Sequence, residues 1–215
     1  EFDKTYTLNN YRSIITDENF NILSFSPIKS CNKEKFLSKV KEQDCIAEEF
    51  VEGTMINLFY DENINKWEIA TKTSVGANIK YFKDQKNFNK LFEEILEFLN
   101  IKLDNFDKNY NYSFVMQHPE NRIVVNYDEG SQGLTLVLCR DVSSGELIQN
   151  MTDFDDMLDT FESVSRPNIS YLEDVNDLPE MIRGGDLSRE GIMLSQGETR
   201  LKLFDQKYVN FPTSF

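Results

Sequence analysis

Apolar positions recur with two periods along this chain, and the period sorts its segments. Alternation of apolar and polar residues over short stretches that end in turn formers marks antiparallel strands. By that rule residues 12–16 and 22–26 form a strand pair around a polar turn at 17–21. Residues 45–50 and 54–60 read as strands, 61–65 as a hairpin loop and 67–71 as the returning strand. Further strands are expected over 112–117, 122–127 and 134–140, and a last hairpin joins 191–195 to 199–204 around Gly197.

A period near that of the α-helix marks the rest. It runs through 33–41, with Phe36, Leu37 and Val40 on one face. It is clearest over 88–101, where Phe88, Leu91, Phe92, Ile95, Leu96 and Leu99 form a broad apolar stripe of the kind that packs into a core. Thr152 is a candidate cap for a helix over 153–163 with acids in its first turn, followed by Pro167. A short helix over 178–182 stops at Gly184-Gly185. There is no internal repeat, dinucleotide fingerprint or P-loop. The expected class is α+β, with antiparallel sheets flanked by helices.

Composition adds limits. The 215 residues suit one domain, and 17 Phe and 9 Tyr can fill its core. A broad nucleic-acid surface needs cations to neutralise phosphates. With a net charge of −14 the chain cannot present one, so any RNA contact is confined to a local pocket or groove. The plainer reading of the acid excess is solubility. Cys31, Cys45 and Cys139 lack metal-ligand spacing and read as reduced thiols of an intracellular, cytoplasmic protein. No run approaches the ~20 apolar residues of a membrane-spanning helix, and no signal peptide is visible. Abundant Asn, Ile, Lys, Asp and Phe suit an AT-rich genome, such as that of a large DNA virus. The start at Glu1-Phe2 suggests an excised domain.

The stretch that carries chemistry is Glu49-Phe50-Val51-Glu52-Gly53-Thr54-Met55-Ile56. Its acid–glycine pair, small hydroxyl residue and apolar run resemble nucleotidyl motif I of the phage-type ATP-dependent RNA ligases, in the covalent nucleotidyltransferase superfamily. Companions follow in family order. Tyr11-Arg12-Ser13 and Phe25-Ser26-Pro27-Ile28-Lys29 resemble the opening hairpin and its proline-lysine segment. Ala70-Thr71-Lys72-Thr73-Ser74-Val75 resembles the returning strand with its lysine. Residues 114–124, with Pro119-Glu120-Asn121-Arg122, resemble motif III and the loop after it. Residues 136–148 resemble the next hairpin, 190–194 motif IV and 201–208 motif V. The resemblance implies a single nucleotidyltransferase-like domain over 1–215 with a central cleft, lacking the family's C-terminal RNA-handling domain.

Ligases of this kind attack the α-phosphate of ATP with a lysine amine. That step needs a nitrogen nucleophile of adjusted pKa, with metal and cationic groups around the phosphates. The resemblance places the lysine three residues before the motif I glycine, where this chain has Phe50. In an ungapped alignment the motif III glutamate becomes Val115 and the second motif V lysine becomes Phe204. Glu52, Gly53, Lys72, Arg122, Glu190 and Lys202 keep the family's residue types. Glu190 is the implied metal-side carboxylate and Lys202 the phosphate-facing cation. Arg12 and Lys29 complete the candidate ligand-binding set.

Each residue also has a plainer reading. Gly53 can simply permit a bend. Arg122 can be a structural ion-pair partner, Lys72 and Lys202 solvated strand lysines, and Glu190 part of a surface turn. Phe50 can fill an unused pocket, or offer a ring on which a base or cap stacks. His118 precedes a proline, has no Ser or Cys partner pattern, and reads as non-catalytic. The expectation is a catalytically inactive domain that binds a nucleotide, an RNA 5′ end or a cap, or docks on a protein partner in a larger assembly. The competing expectation is an active ligase using ATP and magnesium, with a relocated lysine such as Lys29 on the strand before motif I. A structural subunit with a plugged pocket is the third.

Overall fold

The computed structural model describes residues 12–40, 45–80, 86–121, 127–128, 130–148, 162–172 and 191–204. In chain order its elements are β1 (Ile15–Thr16), β2 (Ile22–Ser24), α1 (Lys33–Leu37), β3 (Cys45–Glu49), β4 (Thr54–Asp61), β5 (Lys66–Ala70), α2 (Phe88–Phe98), β6 (Tyr110–Gln117), β7 (Gly133–Asp141), β8 (Ile169–Leu172), β9 (Gly191–Gln196) and β10 (Thr199–Phe204). The chain divides into two compact units, one drawn from 1–27 and 53–166, the other from 28–52 and 167–215.

The first unit holds a four-stranded antiparallel sheet in the order β5-β4-β6-β7. Hairpin β1-β2 belongs to the same unit, and its turn is held by Asp17. That carboxylate accepts from the backbone N–H groups of Asn19 and Asn21 at 2.9 and 2.8 Å and from Asn21 Nδ2 at 2.8 Å. A buried polar chain ties the segment after β2 to the sheet. Asn57 Nδ2 donates to Ser26 Oγ at 2.7 Å, and Ser113 Oγ donates to Asn57 Oδ1 at 2.8 Å.

Helix α2 lays Phe88, Leu91, Phe92, Ile95 and Leu96 into a core shared with Trp67, Phe106, Tyr112 and Phe114. Phe106 meets Tyr112 and Phe114 edge-on at 5.0 and 5.9 Å between ring centroids, a favoured arrangement for aromatic pairs. The helix ends at Phe98, short of Ile101. Asn100 turns into the left-handed region (φ 54°). Its N–H then bonds Glu97 O at 3.1 Å, and Ile101 N–H bonds Leu96 O at 2.8 Å, closing a Schellman motif.

The second unit holds an antiparallel sheet in the order β10-β9-β3-β8. One face of this sheet supplies Cys45, Ala47, Ile192, Leu194 and Leu201, which pack with Phe36 of α1. Leu37, expected on the buried face of α1, is 43% exposed, because the helix stops there with Ser38 as its cap. β8 was not expected from the sequence pattern. The strand anticipated over 122–127 and the helices over 153–163 and 178–182 fall on residues outside the description, save Tyr127 and a turn at Glu162 and Ser163. Cys31, Cys45 and Cys139 are not in disulfides. Among the described residues no helix is long and apolar enough to cross a membrane.

Candidate functional site

Strands β3, β9 and β10 place successive side chains on opposite faces. The registers Glu48↔Met193 and Met193↔Lys202 set those three residues in one row across the sheet. Their face, opposite the core, also carries Ile46, Ser195 and Arg200, and all six side chains are half-buried. Phe50 is the first residue past β3, and its N–H bonds Gly191 O at 3.0 Å. That bond carries the β3–β9 pairing one residue further and keeps the half-buried Phe50 ring on the Lys202 side. Lys202 Nζ stands 3.6 Å from the centroid of that ring, within cation–π range.

Burial pushes the Lys202 amine down to about 8; neighbouring Arg200 adds to the lowering and Glu52 opposes it. Glu52 is itself 5% exposed. The second unit therefore brings together three of the candidate residues, Phe50, Glu52 and Lys202. A lysine in this setting can do two things. Protonated, it is a desolvated cation suited to a phosphate oxygen. Neutral, it is an amine with a free lone pair.

The first unit holds three further described candidates, Gly53, Arg12 and Lys72. Gly53 has φ +149°, and a Cβ there would lie 2.5 Å from Met116 O and 2.7 Å from Val115 Cγ1. Only glycine fits, so its backbone role is real. Val115, 6% exposed on β6, packs directly on Gly53 and lines motif I with an apolar wall. On the next residue, Thr54 Oγ1 accepts from Asn121 Nδ2 at 2.7 Å. Arg12 is half-buried, and its carbonyl accepts from Ser26 N–H at 3.2 Å. Ser13 Oγ donates to the Lys72 carbonyl at 2.6 Å, which sets the Arg12 and Lys72 segments side by side; the Lys72 side chain is exposed.

Lys29 corrects an expectation. It is exposed and lies in irregular chain beyond β2, not on a strand. Pro27 lacks the N–H that a continuing strand would use. Arg122 and Glu190 lie outside the described residues, and Phe204 is placed only by its register opposite Gly191. His118 is buried, which lowers its pKa, and its Nδ1 accepts from Glu120 N–H at 3.1 Å.

Two neighbours were missed by the sequence reading. Asn121 is 3% exposed, and its Oδ1 makes no hydrogen bond. Arg200 lies two residues before Lys202, a spacing that puts both on one face of a strand and was there to be read. Among the described residues no group of three or more His, Cys, Asp or Glu is placed to hold a metal.

No family model matches the chain. Over 113 residues, 48% of this chain, it is 32% identical to an RNA ligase of Rhodothermus phage RM378, and the match spans 24% of that protein. Among solved structures, an archaeal ATP-dependent RNA ligase superposes with a TM-score of 0.58 at 14% identity, over 91% of this chain and 52% of that one. An RNA ligase of Naegleria gruberi with PPi gives 0.62 at 10% identity, over 94% and 61%. A variant of that ligase with AMP and Mn gives 0.58 at 13% identity, over 94% and 61%. The chain thus spans a quarter to three-fifths of these relatives. At such identities the structures share the fold.

Proposed function

We propose that this chain, an RNA-ligase-like domain with the nucleotidyltransferase fold, binds a nucleotide without becoming covalently attached to it. The observation that carries the reading is Lys202 seated on the ring of Phe50, the residue that the resemblance aligns with the nucleophile. A phenyl ring has no lone pair with which to attack phosphorus. Val115 stands where the resemblance calls for a carboxylate, and packs as apolar wall. Lys202, Arg200 and Glu52 offer charge for a phosphate and its counter-charges, and the half-buried ring offers a surface for a base. Structural neighbours hold AMP with Mn, or PPi. A phosphate-bearing ligand of that kind is the one assigned here, whether a free nucleotide, an RNA 5′ end or a cap. Docking in a larger assembly and a viral, cytoplasmic setting belong to the same reading.

The test is incubation with α-labelled ATP or GTP and Mg or Mn, followed by a denaturing gel. No label should remain on the protein, while ATP should raise its melting temperature, because a ligand held only by the folded state stabilises it. A labelled wild-type band overturns the reading. The second reading, a relocated nucleophile, gains one specific support: Lys202 is an amine at the Phe50 ring with a pKa of about 8, so part of it is neutral near physiological pH. Lys202 replaces exposed Lys29 as the candidate, and an adduct abolished by Lys202→Arg would establish it. If neither nucleotides nor cap analogues nor short RNAs shift the melting temperature, the domain is a structural subunit.

A further inference from the structure

The first unit contains a cavity of about 660 Å³ that none of the candidate ligand-binding residues lines. Four turns converge on it: the β1-β2 turn, the β4-β5 turn, the loop entering β6 and the turn leaving β7. Its size lies within the range of small-ligand sites, roughly 300–1,000 Å³, and turns held by a rigid sheet are where such sites are built. Two of the turns are tied internally. Asp17 accepts three hydrogen bonds within the first, and Asp141 accepts from the N–H groups of Ser143 and Ser144 at 2.9 and 2.8 Å in the last.

The lining has an unusual balance of spent and unspent groups. Arg140 is 2% exposed, lies over the Phe25 ring at 4.1 Å and donates from Nη1 to Gly145 O at 3.0 Å, so it is part of the cavity's frame. Lys108 is exposed and stands 3.9 Å over the Tyr60 ring, with no hydrogen bond or ion pair to the described residues. Glu62, also exposed, makes no hydrogen bond to them either, although it lines the same cavity. Asn111 Oδ1 is buried and has no partner. One cavity therefore offers unspent ammonium donors and an unspent carboxylate, with an unpartnered acceptor buried in its wall. Leaving such an acceptor unmet is unfavourable.

We propose that this cavity binds one ribonucleotide unit, with its phosphate at Lys108, ribose hydroxyls at Glu62 and its base against the Asn111 side chain. A phosphate meets the ammonium. A carboxylate that takes ribose hydroxyls is a recurring device of nucleotide sites, and such contacts tell RNA from DNA. Asp17, Glu62 and Asp141 also line the cavity, but Asp17 and Asp141 are committed to their own turns, so Glu62 is the one carboxylate left for a basic peptide and Lys108 opposes it. The proposal is independent of the reading of Phe50 and Lys202, because every residue it uses belongs to the first unit.

The experiment is an NMR titration of the full chain, and of its Lys202→Ala variant, with AMP. It follows the Asn111 side-chain amide and the Gly145 backbone amide. AMP should shift both resonances in both proteins. Lys108→Ala should raise the AMP dissociation constant about tenfold and leave adenosine nearly unchanged. Glu62→Gln should weaken AMP more than its 2′,3′-dideoxy analogue. Both substitutions are at exposed turn positions, and unchanged melting temperatures confirm that the variants fold. A four-nucleotide RNA that binds more tightly than AMP identifies a strand as the source; equal binding identifies the free nucleotide, and either supports the site. The proposal is overturned if millimolar AMP leaves both resonances unmoved, if inorganic phosphate shifts them as strongly as AMP, or if trilysine shifts them and AMP does not.

Discussion

The two four-stranded sheets among the described residues are built to different ends. The sheet of the first unit rests on interlocking rings and the long stripe of α2. Among the described residues, the sheet of the second unit rests on a handful of side chains, Cys45 and Ala47 among them, with Phe36 as the large ring. Yet the lighter sheet carries Phe50 and Lys202. Burial of large apolar area is what stabilises a sheet. A surface that holds a desolvated amine and a charged ligand needs a different economy, with half-buried residues on its outer face. Among the described residues the interlocking rings lie in the first unit and the buried amine lies in the second.

The sharpest way to break that contrast is to remove a ring from the first core. Phe114, 1% exposed, touches Phe106 and stacks on Tyr112 at 6.1 Å. Phe114→Ala should cost about 3–5 kcal/mol by lost transfer energy and cavity formation, read by chemical denaturation. Leu194→Ala in the second unit should fall toward the lower end of about 2–5 kcal/mol, because the small cluster has fewer neighbours to strand around the cavity. An equal or larger loss at Leu194 would remove the contrast.

Next in size is Gly53→Ala. The added methyl meets the Met116 carbonyl and Val115, and the backbone is held at a φ that L residues avoid. The strain should cost about 1–3 kcal/mol. Pairing it with Val115→Ala relieves one of the two contacts but not the carbonyl, so the double variant should recover only part of the loss.

How far the fold was legible follows from how local each feature is. The hairpins around 17–21, 61–65 and Gly197, and the stripe of α2, depend on neighbours a few residues apart, and all appear in the structure. The end of α2 was misplaced because an asparagine in the left-handed region, not a loss of apolar periodicity, stops it. β8 was invisible because it exists only through pairing with β3, far away in the chain. The candidate site divides in the same way. Phe50 stands out through the resemblance, which implies a lysine three residues before Gly53. The contact of Lys202 with its ring depends on the local β9–β10 hairpin and also on the register of β3 with β9, which joins distant parts of the chain and which no local pattern encodes.

The chemistry of the second unit can be sharpened through Lys202. Its folded-state pKa of about 8 lies below the ordinary lysine value, chiefly because of burial. Between about 8 and that ordinary value the unfolded chain binds more protons, so stability should rise with pH across this window and lose the benefit below it. Phe50→Ala should admit water to the amine and move its pKa upward. Titration of ¹³C-dimethylated lysines by NMR reads this directly, and an unmoved pKa would mean that the Phe50 ring does not desolvate the amine. The pH-dependent stability gain should shrink in the same variant.

The smallest effects compare the two helices. Asn87 caps α2 by accepting from Lys90 N–H at 2.9 Å, and Asn32 caps α1 by accepting from Lys35 N–H at 2.9 Å. Loss of such a cap costs about 1 kcal/mol, so Asn87→Ala and Asn32→Ala start equal as local chemistry. They should not end equal. Five buried side chains hold α2 to its core, so without its cap the helix should fray only at its first turn. α1 has five residues and one buried side chain, Phe36, and a helix of that length has no independent stability. Hydrogen exchange should show faster exchange throughout α1 in Asn32→Ala, and only near the start of α2 in Asn87→Ala. Uniform exchange changes in both helices would show that the second unit is held as firmly as the first.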